Sequence, residues 1–326
     1  MEDIIQHIQE VLGVPEFLIN QCYFLPDYIK DALITSVNFI PWLYFLYYGI
    51  ELLERFFLKH IGLLVKLIKR LGVFFGVVIS IIPECGYSVV ASTFYTRRMI
   101  TRGTLLSFLI ACSDDSLPLL FMDLSKAFVI IPVIVIKIIA GITVSFMVDF
   151  MFIFENRVTE NINAINTDLN EPACCHHRII STEENPPYWW MHPLTHTFNM
   201  FMFTFLSLAF LNCVILGFGG VENLASFLMI DSPYQVAGAA IFGVIPNCAV
   251  SVFLVLAYIK GILSFPAFCA GTVTTAGLGL AVLYKHSQDN KDNTLITFLL
   301  LISGIITGLI VFYNMRVVDY ILNLFS

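Results

Sequence analysis

Two stretches of this chain carry the same polar interruption in an apolar setting. Ser80 opens SIIPECGYSVVASTFYTRRMITRGTLL, and Gly243 opens GVIPNCAVSVFLVLAYIKGILSFPAFC. Pro83 and Pro246 stand 163 residues apart, and the same offset pairs Glu84 with Asn247, Cys85 with Cys248, Ser88 with Ser251 and Tyr95 with Tyr258. Matched interruptions in the two halves of a hydrophobic chain point to a transporter's binding site. Paired prolines alone could simply kink two helices; the polar residue and Cys that recur beside them favour a site. Glu84 and Asn247 offer oxygen, Cys85 and Cys248 offer sulfur, each Pro frees a backbone carbonyl, and Ser88 and Ser251 lie one turn along. Oxygen suits a hard divalent cation such as Mn²⁺, whereas paired thiols suit a softer ion or a trivalent arsenical. Oxygen donors outnumber thiols here, which favours Mn²⁺.

A second polar motif, Ser113-Asp114-Asp115-Ser116, interrupts the apolar run between LLSFLIAC and LPLLF. A carboxylate at membrane depth costs about 2.5–3.5 kcal/mol on insertion scales, so it needs a partner or a function. Adjacent residues point about 100° apart on a helix, so one of the two Asp faces a site unless Pro118 loosens the turn. The competing reading is a charged pair at a helix end near the interface. Weaker candidates surround these. Glu51 and Glu54 share a helix face at i, i+3 and could form an acidic vestibule, or be ordinary interfacial charges beside Arg55. His192 and His196 are spaced i, i+4, but Pro193 is expected to start that helix and leave His192 outside it. Cys174, Cys175, His176 and His177 form a dense cluster, although adjacent residues cannot all grip one tetrahedral ion. It reads as a metal-docking patch or as none.

The elements that must position these groups are membrane helices. Hydrophobic residues make up 58% of the 326 and charged ones 13%, more apolar surface than a soluble chain of this length can hide. The fold class is therefore an all-α polytopic membrane protein. Apolar runs lie near 31–54, 61–82, 85–98, 103–123 and 127–154, then 195–217, 232–246, 248–260, 264–285 and 293–316. Five and five, they define an N-terminal repeat at 1–154, a polar loop at 155–192 and a C-terminal repeat at 193–326, with residues 3–25 as a candidate interfacial helix. The acidic start MEDIIQH lacks the basic region of a signal peptide, so no cleaved segment is expected. The eight Cys fall mostly in apolar runs and do not form a disulfide framework.

Charge orients the segments. If each Pro-x-Cys stretch is a hairpin that returns to its starting side, twelve of the 17 Lys and Arg share one side. Lys30, Lys126, Lys260 and Arg316 then face the other, and Lys137 is left inside a span. If each stretch crosses once, the split is even. The positive-inside rule selects the hairpins, with loop 155–192 cytoplasmic and both termini outside the cell membrane. The two hairpins then enter from opposite faces, the halves are inverted repeats, and the tips can meet near the bilayer midplane around a cavity.

These segments resemble the bacterial family of ten-helix heavy-metal exporters, whose members carry the labels arsenic efflux protein and manganese transporter. The resemblance spans nearly the whole chain: IPWLYFLYYGIELLE, IIPECGYSVVASTFYTRRMITRGTLLSFLIACSDDSLPLLF, the HTF around His196, GVIPNCAVSVFLVLAYIKGILSF and AGLGLAVLYK. It implies efflux of a metal or metalloid ion driven by an ion gradient, with no cofactor, and no GxxxxGK[ST] is present to power a pump. It maps the family's motifs onto Pro83, Cys85, Gly86 and Ser88, onto Ser113 and Asp114, and onto Pro246, Asn247, Cys248 and Ser251. The family usually has Gln at the position of Glu84 and Asp-Glu at that of Asp114-Asp115, so the tip here carries an extra charge.

The expectation is a secondary exporter of a divalent ion, foremost Mn²⁺, in which Asp114, Asp115 or Glu84 holds either a proton or the metal. An arsenical permease using Cys85 and Cys248 is the alternative. An intramembrane metal-dependent enzyme using Asp114, Asp115 and His196 is a distant third, since HExxH is missing and the duplicated tips have no role in it. Partners are the ion, a coupling proton or other ion and the lipid bilayer, with nothing pointing to nucleic acid.

Overall fold

The computed structural model describes residues 26–58, 72–82, 86–112, 119–120, 124–152, 191–287 and 289–314, and all their regular elements are helical. In chain order these are α1 (Asp27–Leu58), α2 (72–80), α3 (Gly86–Thr96), α4 (Arg102–Ala111), α5 (Ile130–Met151), α6 (Met191–Gly217), α7 (Val221–Phe227), α8 (Pro233–Gly243), α9 (Cys248–Ile259), α10 (Phe265–Thr274), α11 (Gly277–His286) and α12 (Asn290–Tyr313). A single helical turn, Leu124–Ala127, precedes α5.

Length sorts them. The helices α1, α5, α6 and α12 have 32, 22, 27 and 24 residues. At about 1.5 Å per residue each exceeds the roughly 30 Å of bilayer hydrocarbon. By contrast α3, α4, α8, α9, α10 and α11 have 10 to 12 residues. Each of these spans only about 15–18 Å, half the membrane. The segments Ile130–Met151, Pro193–Gly217, Phe265–His286 and Asn290–Tyr313 are long and apolar enough to cross. Three of them present apolar, exposed outer faces, as at Phe146, Met147 and Phe150 of α5, Leu206 and Phe210 of α6, and Ile306 and Ile310 of α12, whereas Phe265–His286 is mostly buried. The chain is a multi-pass membrane protein.

Polar contacts define two ends of the bundle. At one, the Tyr95 hydroxyl and Arg102 Nε both donate to Asp292, at 2.5 and 2.8 Å. The Thr101 hydroxyl and the Gly103 N–H donate to Asp149, at 2.8 and 2.9 Å. This Arg102 end joins the finish of α3 and α5 to the start of α4 and α12. At the opposite end Lys260 pairs with Asp31 at 3.1 Å, Asn212 donates to the same carboxylate at 3.1 Å, and Lys126 donates to the Ile259 carbonyl at 2.7 Å. This Lys260 end joins the starts of α1 and α5 to the finish of α6 and α9.

Small residues fix the direction of the half-length helices. A Cβ on Gly72 would stand 2.7 Å from the Thr104 hydroxyl, and one on Gly76 would meet Ser107 and Phe108. Thus α2 runs beside α4 in the same direction, from the Arg102 end to mid-depth, and α3 runs back to that end. In the second half the Gln235 side chain donates to the Ile262 carbonyl at 3.0 Å and accepts from the Ser264 N–H at 3.1 Å. That fixes the start of α8 at the Lys260 end. Gly243, its last residue, lies against Gly271 and Thr274, and α9 returns to the Lys260 end.

The runs at 103–123 and 264–285 differ from their sequence reading as single apolar stretches. Helix α4 stops at Ala111, and Cys112 turns out at φ −50°, ψ 117°. Helix α10 stops at Thr274, and Thr275 turns out at φ −70°, ψ 103°, before Gly277 restarts the chain as α11 at φ +52°. A positive φ is unstrained in Gly, which explains the residue at the restart. The two breaks stand at the 163-residue offset, as do the bounds of α4 and α10. The segment Gly217–Pro233 holds α7, unforeseen in the sequence, with Phe218, Phe227, Leu228 and Met229 exposed around it.

Candidate functional site

Helices α4 and α10 both end inside the bundle. The last carbonyls of a helix lack intrahelical partners and carry about half a negative charge. At α4 this end is met by Lys137, from the middle of α5, whose Nζ donates to the Cys112 carbonyl at 2.5 Å. Lys137 is 2% exposed. One turn further along, Gly141 lets α5 approach α4 closely, its missing Cβ facing Ile110, Ala111 and Val77. At the offset position Gly304 does the same for α12 against Thr274 and Ala270 of α10. From the Lys137-capped carbonyl the chain runs directly into Ser113-Asp114-Asp115. Cys269 of α10 is completely buried and lies within electrostatic reach of the Lys137 ammonium. The ammonium is thus held at the end of α4, with the middle of α10 in its field.

Around α10 the break is lined with hydroxyls. Thr274 donates to the Ala240 carbonyl at 2.9 Å, tying α10 to α8, and Thr275 donates to the Thr272 carbonyl at 2.9 Å. Both donate their protons to backbone, leaving their oxygens as acceptors toward anything else nearby. Helix α11 then packs on α3 of the other half, with the missing Cβ of Gly279 facing the Ser88 backbone oxygen at 2.7 Å.

Among the predicted residues, the second tip is described. Ile245, Pro246 and Asn247 are exposed, and Asn247 caps α9 by accepting the Ala249 N–H at 2.9 Å. Its side-chain oxygen thus already serves the helix start, an ordinary N-cap arrangement. Cys248 is the first residue of α9 and is 8% exposed. Ser251 is buried and donates to the Cys248 carbonyl at 2.7 Å. Ser88 is buried against α11. Pro83, Glu84, Cys85, Ser113, Asp114, Asp115 and the cluster Cys174, Cys175, His176 and His177 lie outside the described residues, as do the side chains of Glu51, Glu54, His192 and His196.

Among the described residues no three His, Cys, Asp or Glu side chains converge as a metal site. One expectation is corrected. Helix α6 begins at Met191, so His192 lies inside its first turn with His196 in the same helix. Proline is tolerated in a first turn, where its missing N–H would have no helical partner. Lys137 was visible in the sequence only as a charge stranded in an apolar run.

A family model described as “Putative, 10TM heavy-metal exporter” matches residues 24–219. No curated protein and no solved structure matches the chain.

Proposed function

The chain belongs to the 10TM heavy-metal exporter family, and from that premise we propose that it is a secondary-active exporter of a divalent metal ion, foremost Mn²⁺, coupled to a proton gradient. The substrate site combines Glu84, Cys85 and Ser88, Ser113, Asp114 and Asp115, and Asn247, Cys248 and Ser251. Residues 1–154 and 193–326 act as inverted repeats joined by a cytoplasmic loop at 155–192, with both termini outside. One observation carries the reading: matched helix breaks at Cys112 and Thr275, reached by half-length helices that enter from opposite ends of the bundle. Inverted half-helices ending at mid-depth are how transporters expose backbone carbonyls to an ion while keeping the remaining backbone paired. The contact between Ser88 and Gly279 supports the composition of the site, because the same offset maps it onto Ser251 and Ser116.

A carboxylate among these oxygens holds either the metal or a proton, and that competition links the two fluxes. An arsenical substrate is the second reading. It is favoured by Cys248, which stands at the first position of α9, at the exposed second tip.

The deciding experiment loads proteoliposomes with a metal-sensitive dye and compares Mn²⁺ with trivalent arsenic in wild type, Asp114→Asn and the double Cys85→Ser, Cys248→Ser variant. Mn²⁺ flux that needs a pH gradient, drops at least about a hundredfold in Asp114→Asn and survives in the double Cys variant supports the carboxylate exporter. Arsenic flux indifferent to Asp114 but lost without the thiols favours the permease. Silence toward both ions defeats both readings and reopens a metal-dependent enzyme.

A further inference from the structure

Lys137 has a counterpart in the other half, and the counterpart is uncharged. The 163-residue offset that matches α4 with α10 and Gly141 with Gly304 places Leu300 where Lys137 stands. Leu300 is fully buried on α12, just as Lys137 is buried on α5. The packing at this position therefore does not require an ammonium: one half makes it with an isobutyl group. An ammonium inside a span is costly, and such residues cluster on ion pathways. This one lies on the carbonyl end of α4, immediately before the acidic motif, with the buried Cys269 of α10 within its field.

We infer that Lys137 is the tethered counter-cation of the transport site. This rests on the exporter reading above, in which a proton replaces the metal on a carboxylate, and adds a fixed positive charge beside the acidic motif in both states. With the ammonium docked on the Cys112 carbonyl, the metal-free, proton-loaded carrier returns with the charge of a remaining carboxylate offset. When a divalent ion arrives, its charge and that of Lys137 repel, and low dielectric strengthens the repulsion. The ion is held loosely enough to be released on the far side. An exporter built this way exchanges tight binding for turnover, and its return step depends on the lysine.

The test uses the full chain, purified and reconstituted, with Mn²⁺ as the probe. Lys137→Met keeps the length of the side chain and removes the charge, Lys137→Leu copies the opposite half, and Lys137→Arg keeps the charge. Equilibrium Mn²⁺ binding, net Mn²⁺ efflux and Mn²⁺/Mn²⁺ exchange are measured on each. The expected result for both uncharged variants is Mn²⁺ affinity raised about tenfold or more, since one repelling charge is gone. Their net efflux should fall below about a tenth of wild type while exchange continues, because exchange never requires the metal-free carrier to return. Lys137→Arg should stay close to wild type in all three.

Uncharged variants with unchanged affinity and efflux overturn the inference and leave the exporter reading standing. The same holds if affinity falls, or if exchange and efflux are lost together. If neither uncharged variant folds and Lys137→Arg does, the ammonium is a folding element and the inference fails. Wild-type protein that neither binds nor moves Mn²⁺ overturns the manganese-exporter reading itself, and the inference with it.

Discussion

At Gly279 a side chain has nowhere to go. Its Cβ would meet Ser88 Cβ, carbonyl carbon and oxygen within 2.8 Å, and two of those atoms are backbone. Gly279→Val should therefore lower stability by about 1–3 kcal/mol through overpacking, read as a fall in melting temperature in detergent. Gly238, in α8, is the control, because a Cβ there meets nothing within 4 Å. Gly238→Ala should leave the melting temperature unchanged or raise it, since Ala is favoured over Gly in a helix by up to about 1 kcal/mol. Equal losses in both would mean that α11 does not press on α3. Ser88 was legible from the repeat, but its contact with Gly279 was not. The partner of Lys137 was not, because a backbone carbonyl has no sequence signature. Only the helix ending at Ala111 exposes that carbonyl, and the apolar composition on both sides conceals the ending.

At the scale of elements, the start of α4 is secured twice. Thr101 is its N-cap, accepting the Thr104 N–H at 3.1 Å, and Asp149 brings a carboxylate to the same helix start. Thr101→Ala should cost about 1 kcal/mol, the usual loss for a cap. Asp292→Asn removes the charge that Tyr95 and Arg102 share, and the Arg102–Asp292 pair is only 15–16% exposed at the side chains. It should cost about 1.5–3 kcal/mol, the range for a hydrogen bond to a charged group. Both losses are measurable as earlier thermal unfolding, and a neutral Asp292→Asn would mean that the Arg102 end is held by apolar packing alone. Element breaks were the hardest part to read. In the first half Asp114 and Asp115 advertise an interruption, but in the second the residues are Thr, Ala and Gly, which membrane helices readily tolerate. The signal that would have located the second break is the first one, carried across by the 163-residue offset.

For the whole molecule, the contacts divide the described basic residues by end. Arg97, Arg98, Arg102, Lys285 and Lys291 belong to the Arg102 end, and Lys30, Lys126 and Lys260 to the other. If the Arg102 end is cytoplasmic, as the excess of positive charge on that side favours, single cysteines report it. In a Cys-free background of intact cells, Glu222→Cys should react with a membrane-impermeant maleimide and Lys291→Cys should react only after permeabilisation. The reverse pattern would invert the exporter's orientation, and reaction at both sites would break the separation of the two ends. The apolar runs predicted an all-helical, multi-pass membrane protein because apolar length is a whole-chain property. Which runs stop half-way is a local matter of caps, glycines and buried partners, and it became readable only in three dimensions.

The packing of α11 on α3 also sets a timetable. During synthesis α3 is complete at Thr96, but the helix that covers it ends at His286, 190 residues later. At about 5–20 residues per second α3 waits roughly 10–40 s in the membrane with one face bare. A nascent chain in that interval is a natural client for chaperones and for membrane proteases. Expressed alone, residues 1–154 should be degraded, and supplying 193–326 as a separate chain should rescue them, because the missing cover is then provided in trans.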